Sequence, residues 1–598
     1  MERDVFERRL LTLLAVVGLL LGILVIRLWQ VQIVQGDYFL RLSEENRLRV
    51  TPLAAPRGSL VDRHGRTLVA NRPAFTVALL PLELRHPGPE AAALGKVLGM
   101  DPAEILSRLA AGRDRPFDPV RLRRDVPKEI VAGIEESQLD LPGVLVEVEP
   151  VRQYLYKTLG AHAFGYVGEI NEQELRRLRA AGYESGDLIG KDGVERTYDA
   201  YLRGRSGEFQ AEVDAQGHVV RTLGTVPAVP GDTVALGLDL ALQQAAEAAL
   251  GDRPGAVVAM DPRDGAVVTF VSHPAFDPNV FSAGITAAAW NGLMKDPRQP
   301  LLDRAAQGTY PPGSVFKIVT ASTALQLGLV QPDSRFFSPG YYNLGGWTFH
   351  EWKALGNVNF IDAIALSCDA CFYELARRAG PTQMAAFAHM YGLGQLTDVD
   401  LPDDSRGVVP DPAWKQRVWK QPWFGGDTLN MGIGQGYVLT TPLQVARMLA
   451  AVANGGTLVT PHLVTEIRGP DGRVIARITP PPAGHLRLSP ETMAVLRTGL
   501  AAVVTRGTAT NVQIPGLTIA GKTGTAEAAH GKPVAWFAAY APVDAPRLVV
   551  VAMVENAGFG DEFAAPIVKR VLQAAFPPAQ GEAPRAPRGA AAQGSPHP

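Results

Sequence analysis

The sequence predicts an α/β protein of several domains, tethered by one N-terminal transmembrane helix. Three observations lead there. Leu10 to Ile26 carries no charge and is almost wholly apolar. From Asp232 onward, β-prone runs alternate with helix-patterned segments, and the last strands follow one another through a short turn, with a helix behind them. At 598 residues the chain is too long for a single core. Its composition, 46% hydrophobic and 20% charged, is that of a globular protein. A net charge of −2 lacks the basic field of a nucleic-acid binder, so no nucleic-acid partner is expected.

Taken in order, residues 1–9 are expected in the cytoplasm and 10–29 in the membrane. The apolar stretch is close to the roughly 17-residue minimum for a spanning helix. Arg3, Arg8 and Arg9 precede it and Trp29 follows, which places the N-terminus inside and the bulk of the chain outside. A cleaved signal peptide would have a shorter core ending in a small-residue site; here the run continues into Arg27-Leu28-Trp29, so an uncleaved anchor is expected. Val31, Ile33, Val34, Tyr38 and Leu42 continue the helical spacing beyond it.

Residues 30–231 form a non-catalytic region. Thr51 to Asn71 is extended with turns, and about 75–150 is a small inserted head of short strands (Phe75 to Leu80) and helices (Pro89 to Leu98, Pro102 to Ala110). Val226 to Gly231 reads as a linker. Residues 232–576 form the catalytic region. It opens with a helix from Asp239 to Leu250 and a hairpin, Gly255 to Met260 and Ala266 to Val271, around Asp261-Pro262-Arg263-Asp264-Gly265. A helix from Glu491 to Val503, strands at Trp536 to Ala541 and Leu548 to Val554, and a helix from Ala565 to Ala574 close it. The Pro/Ala/Gly/Gln-rich tail, 577–598, is expected to be disordered.

The chemistry is concentrated in three short motifs. Ser314 and Lys317 stand one helical turn apart, so their side chains share a face and are within hydrogen-bonding reach. Serine becomes a nucleophile when a neighbour takes its proton, and lysine does so only when burial or charge lowers its pKa. By chance S-x-x-K occurs about twice in a chain this long, so alone it says little. Lys522-Thr523-Gly524 follows the β-prone Leu517-Thr518-Ile519-Ala520, and a K-T-G triplet is expected only about 0.1 times per chain. Ser367-Cys368-Asp369 lies between them, after an apolar helical segment. In that order the three match the motif set of penicillin-binding proteins and class A β-lactamases.

Arg57-Gly58-Ser59-Leu60-Val61-Asp62-Arg63-His64-Gly65 resembles the R-G-x-I-x-D-R-x-G signature that opens the pedestal of class B penicillin-binding proteins. Ala161 to Glu169 and Gly190 to Glu195 resemble further pedestal signatures. The resemblance runs from the anchor to about Phe576. It implies a penicillin-recognising serine transpeptidase fold, an antiparallel sheet with helices on both sides, on an elongated mixed α+β pedestal. Aspartate in the second motif and Trp423-Phe424-Gly425-Gly426-Asp427-Thr428 resemble the elongation-specific type rather than the division-specific paralogue.

The resemblance implies peptidoglycan D,D-transpeptidation through an acyl-enzyme on Ser314. Lys317 would be its base, made neutral beside the charge of Lys522. Ser367 would relay a proton to the leaving amine. Thr523 and Thr525, flanking Gly524, would hold the substrate carboxylate, and the N–H groups of Ser314 and Thr525 would form the oxyanion hole. The implied partners are peptidoglycan stem peptides, β-lactam antibiotics, a polytopic rod-shape SEDS glycosyltransferase and other elongation-complex membrane proteins. A second reading makes the chain chiefly a scaffold for that polymerase, and a third a membrane-bound β-lactamase or antibiotic sensor. Asp369 replaces the asparagine common in the superfamily; a carboxylate only accepts hydrogen bonds, so it either contacts substrate, pairs with Lys317 or stays protonated. No cofactor is required. Cys368-Asp369-Ala370-Cys371 is a C-x-x-C outside the cytoplasm, open to redox use or to zinc with His350, Glu351 and Asp362 upstream, but the spacing matches no full ligand set. Two small buried cysteine side chains are the expected reading and a disulfide the remaining option; the two cysteines provide no disulfide framework.

Overall fold

A continuous helix, α1 (Glu2–Trp29), starts the chain and runs into a π-helical stretch at Gln30–Val34. Residues Arg9–Val34 form a segment long and apolar enough to cross a membrane. Leu11, Leu19 and Leu24 are exposed on it, as lipid-facing side chains would be. The structure is a computed structural model; it describes residues 2–35, 48–84, 86–111, 119–137, 141–213, 219–527 and 531–578. The expected helical positions Tyr38 and Leu42, and the tail from 579 on, lie outside the described residues.

The chain divides into two compact units. The first comprises Met1–Pro56, Arg72–Val151 and Gly204–Gly231. Within it Leu48–Leu53, Gly207–Val213 and Val219–Val226 make a three-stranded antiparallel sheet. Its head pairs Phe75 to Leu79 with Val120–Val126 and packs helices Pro87–Leu98, Pro102–Ala111 and Lys128–Glu136 over them. Leu94, Leu98, Ile105, Val131 and Ile134 recur at helical spacing and fill that small core.

The second unit comprises Arg57–Asn71, Arg152–Arg203 and Asp232–Pro598. Two stretches that read as pedestal, 57–71 and 152–203, therefore group with the catalytic region. The reason is apolar burial together with charge pairing. Leu60, Val69, Phe164, Val194 and Leu202 join one core with Val234 and Leu236. Leu60–Val61 pairs in parallel with Thr233–Leu236. Glu195 is fully buried and accepts from Arg57 Nε and Arg152 Nε, both at 2.6 Å. Arg57 also donates to Asp199 at 2.5 Å. Burial opposes the charge of Arg57, but Glu195 and Asp199 outweigh it and leave the pKa raised. The two signatures seen in the sequence are thus halves of one buried ion network.

The catalytic sheet has strands β1 (Gly255–Met260), β2 (Val267–His273), β3 (Ala520–Ala526), β4 (Val534–Ala541) and β5 (Leu548–Val554). They run β2-β1-β5-β4-β3, each antiparallel to its neighbours. The runs of β1, β4 and β5 are almost wholly apolar because both faces are covered. Val258, Trp536, Ala538 and Val551 face a core with the fully buried helix Pro442–Ala453. Val257, Ala535, Phe537 and Val550 face the other core, with helices Leu240–Leu250, Pro490–Thr505 and Ala565–Ala575. The antiparallel sheet with helices on both sides is as expected. β3 begins at Ala520, so the apolar Leu517 to Ile519 leads into the strand instead of belonging to it.

Candidate active site

Ser314 lies in a 3₁₀ turn, Gly313–Phe316, and the α-helix begins only at Lys317 (α2, Lys317–Gln326). Pro311 and Pro312 have no N–H to give an earlier turn, and Gly313 takes a left-handed φ of 54°. In a 3₁₀ turn residues i and i+3 eclipse, so Ser314 and Lys317 remain on one face. Ser314 is half-buried and Lys317 is 1% exposed.

Three glycines let distant backbones close on this turn. A Cβ on Gly434, where φ is 72°, would sit 2.2 Å from Gly313 O. One on Gly524 would meet Pro312 O at 2.8 Å, and one on Gly313 would meet Thr525 O at 2.7 Å. Gly313 N–H donates to Gly434 O at 2.9 Å, and Trp536 Nε1 donates to Pro311 O at 2.9 Å. The serine turn is thus wedged between the Gly434-Gln435-Gly436 turn and the edge strand β3. Only hydrogens fit where these backbones meet.

The charges are arranged asymmetrically. Lys317 Nζ donates to Ser367 O at 2.7 Å, to Ser367 Oγ at 3.2 Å and to Asp369 Oδ1 at 2.6 Å. An ammonium has three protons, so these partners satisfy it as a cation. Of the three forms open to Asp369 in the sequence, the ion pair with Lys317 is the one present. Lys522 is fully buried, and its Nζ donates to Thr523 O at 3.1 Å. Burial, and then the positive charge of Lys317, push Lys522 well below the ordinary lysine value. The expectation was a neutral Lys317 beside a charged Lys522. The burial cost falls on Lys522, while the Asp369 carboxylate lies on Lys317.

The hydroxyls also have partners. Thr523 Oγ1 lies 2.6 Å from Thr508 Oγ1, and Thr525 Oγ1 accepts from Gly560 N–H at 3.2 Å. Gln435 Nε2 reaches Thr525 O at 3.4 Å, on the edge of β3 away from β4. The N–H and C=O of one strand residue point to the same side, so Thr525 N–H faces that open edge as well. Ser367 has a left-handed φ of 59° and is 7% exposed. Ser314, Lys317, Ser367, Asp369, Lys522, Thr523, Gly524 and Thr525 all belong to one constellation.

Glu351, an upstream zinc candidate in the sequence, serves the second motif instead. Its Oε1 accepts Asp369 N–H at 2.6 Å, at the start of helix α3 (Asp369–Ala379), and its other oxygen accepts from Ser338 Oγ. Burial, with the like charge of Asp369, raises its pKa. Nothing local marks Glu351 or Thr508, since each acts through a residue at least 15 positions away.

The zinc candidates are not brought together. Asp362 pairs with Arg506 at 3.0 Å, and His350 is exposed on the hairpin strand Trp347–His350. Among the described residues no group of three or more His, Cys, Asp or Glu is placed to hold a metal. The expectation of two free buried cysteines is corrected: Cys368 and Cys371 form a disulfide. Three positions apart across a helix start, their Cα atoms lie 5.4 Å from each other, within bridging range.

Two family models match the chain: a penicillin binding protein transpeptidase domain over residues 255–573, and a penicillin-binding protein dimerisation domain over 52–236. A curated relative from Acinetobacter baumannii, "Peptidoglycan D,D-transpeptidase MrdA", is 34% identical over 96% of this chain and 88% of its own length. Among solved structures, a complex between PBP2 and MreC from Helicobacter pylori aligns with a TM-score of 0.76 at 28% identity, covering 88% of this chain and 98% of that one. A structure titled "Structural coordination of polymerization and crosslinking by a peptidoglycan synthase complex" aligns with a TM-score of 0.70 at 31% identity, over 95% and 98% of the two chains.

Proposed function

The chain belongs to the class B penicillin-binding proteins, and on that premise we propose that it cross-links peptidoglycan as an elongation-type D,D-transpeptidase, through an acyl-enzyme on Ser314. The observation that supports this most directly is the meeting of three motifs from remote parts of the chain. Lys317 bonds both Ser367 and Asp369, while Pro312 and Gly313 touch Gly524 and Thr525.

The donor stem peptide, ending in D-Ala-D-Ala, lies extended along the edge of β3. Ser314 Oγ attacks the carbonyl carbon of the penultimate residue and passes its proton to the Lys317–Lys522 pair. The oxyanion is held by the N–H groups of Ser314 and Thr525. Collapse breaks the C–N bond, and D-Ala leaves with a proton relayed through Ser367. An acceptor-stem amine then attacks the ester, loses a proton to the lysine pair and frees Ser314. Thr523 and Thr525 bind the terminal carboxylate, and Asp369 keeps Lys317 in place. None of these steps calls for a metal or cofactor.

The arginines ahead of the anchor support a cytoplasmic N-terminus and a catalytic unit outside the plasma membrane. The relatives' complexes support two kinds of partner, MreC and a peptidoglycan polymerase, and the family resemblance implies that the polymerase is a SEDS-type glycosyltransferase. β-Lactams, which mimic the donor, acylate the same serine.

Intact-mass analysis after incubation with penicillin tests the reading. A stable adduct on Ser314, lost in Ser314→Ala, is expected. Rapid drug hydrolysis would favour a lactamase, and no adduct in the native chain would leave only the scaffold.

A further inference from the structure

The only two cysteines of the chain bracket Asp369-Ala370: Cys368 is the middle residue of the second motif, and Cys371 lies two positions beyond it. The residues on either side of Cys368 are the ones that hold Lys317, through Ser367 O, Ser367 Oγ and Asp369 Oδ1. Cys368 is the N-cap of α3, and its sulfur accepts Cys371 N–H at 3.2 Å. Cys368 N–H donates to Ala363 O at 2.9 Å just after the left-handed Ser367. A bridge spanning three positions closes the smallest of loops, so chain entropy accounts for little of its use. Cys368 and Cys371 are 0% and 2% exposed, which disfavours exchange with substrates or partners as the role of the bridge in the folded chain. What remains is geometry: the bridge ties the helix start to the turn that presents both Lys317 ligands.

We propose that the Cys368–Cys371 disulfide is a positioning element for acylation, and that the chain reaches full activity only after a disulfide-bearing oxidant of the extracytoplasmic side has formed it. Two thiols lose two protons and two electrons, and the oxidant's own disulfide takes them up as a dithiol. Without the bridge, Ser367 and Asp369 lose their common frame and Lys317 loses its fixed position beside Ser314 and Lys522. The proposal rests on the acyl-enzyme reading above.

The test uses the full chain in detergent with a fluorescent penicillin. Acylation is followed against drug concentration to separate the limiting rate from the binding constant. Alkylation after unfolding counts thiols. The oxidised native chain is expected to show no alkylated thiol. Cys368→Ala/Cys371→Ala is expected to lose tenfold or more in limiting rate, with drug affinity changed less than twofold and a displaced pH profile. Should that variant not fold, native chain produced without oxidant supplies the comparison: two thiols, a low rate, and recovery when the chain is unfolded and refolded in the presence of glutathione disulfide. Two thiols in the oxidised chain, or native rates without the bridge, would overturn the proposal alone. No adduct on Ser314 in any form would overturn the acyl-enzyme reading and this proposal with it.

Discussion

At the scale of single residues, the site is a problem of two lysines and one counter-ion. Asp369 lies against Lys317 at 2.6 Å, so the uncompensated burial falls on Lys522. A lysine with a lowered pKa makes the folded state bind fewer protons than the unfolded chain between its folded value and about 10.5. Stability contributed there is lost as pH falls through the folded value, and acylation falls with it. Lys522→Met should flatten that slope of unfolding free energy against pH, measured by denaturant titration. Lys522→Arg keeps the charge but never releases its proton, so acylation should drop by about a hundredfold or more with no ascending limb in the pH–rate profile. An Arg variant with a native profile would remove Lys522 from the proton path. In the second unit, Glu195→Ala leaves Arg57 and Arg152 buried without their carboxylate. We expect a loss of about 3–5 kcal/mol in urea unfolding, since a broken buried pair leaves uncompensated charge. The motif residues that meet at the site were legible in the sequence, because S-x-x-K and K-T-G are rare together. The direction of the lysine shift was not. It depends on which ammonium has Asp369 beside it, and Asp369 is 52 positions from Lys317.

At the scale of elements, the site is where a 3₁₀ turn, an edge strand and a glycine turn touch. Gly434→Ala has both a left-handed φ of 72° and a carbonyl 2.2 Å from the new methyl carbon. It should cut the acylation rate at least tenfold while the far-UV circular dichroism stays native. A variant acylating at the native rate would show that the turn tolerates displacement of Gly313. Most elements were readable from pattern: the helix over Leu240–Leu250 has Asp239 as its cap, and the strand Leu548–Val554 matches its apolar run. The turn at Ser314 was read as α-helix because its sequence fits either form. Close packing of Gly313 against Gly434 and Thr525 selects the tighter one. Leu517 to Ile519 looked like a strand on propensity alone, yet pairing with β4 extends only as far as Ala520.

At the scale of the whole molecule, the catalytic unit is not a contiguous piece of chain. A chain beginning at Asp232 would lack strand Leu60–Val61 and the buried Phe164, Val194 and Leu202. It should be insoluble or bind penicillin poorly, whereas deletion of residues 1–34 alone should leave acylation intact and release the protein from membranes. Soluble, fully reactive protein from Asp232 onward would show that the earlier segments are dispensable. By itself the sequence determined the apolar N-terminal helix, the class of fold, the three motifs and the family. These follow from local spacing, short motifs and apolar runs, which a linear chain displays directly. Only the tertiary structure decided that Arg57 meets Glu195, that Cys368 bridges Cys371, that Glu351 caps Asp369 and that Lys522 carries the burial cost. Each of these depends on how close two groups come and how much water is excluded around them, and folding alone sets those quantities.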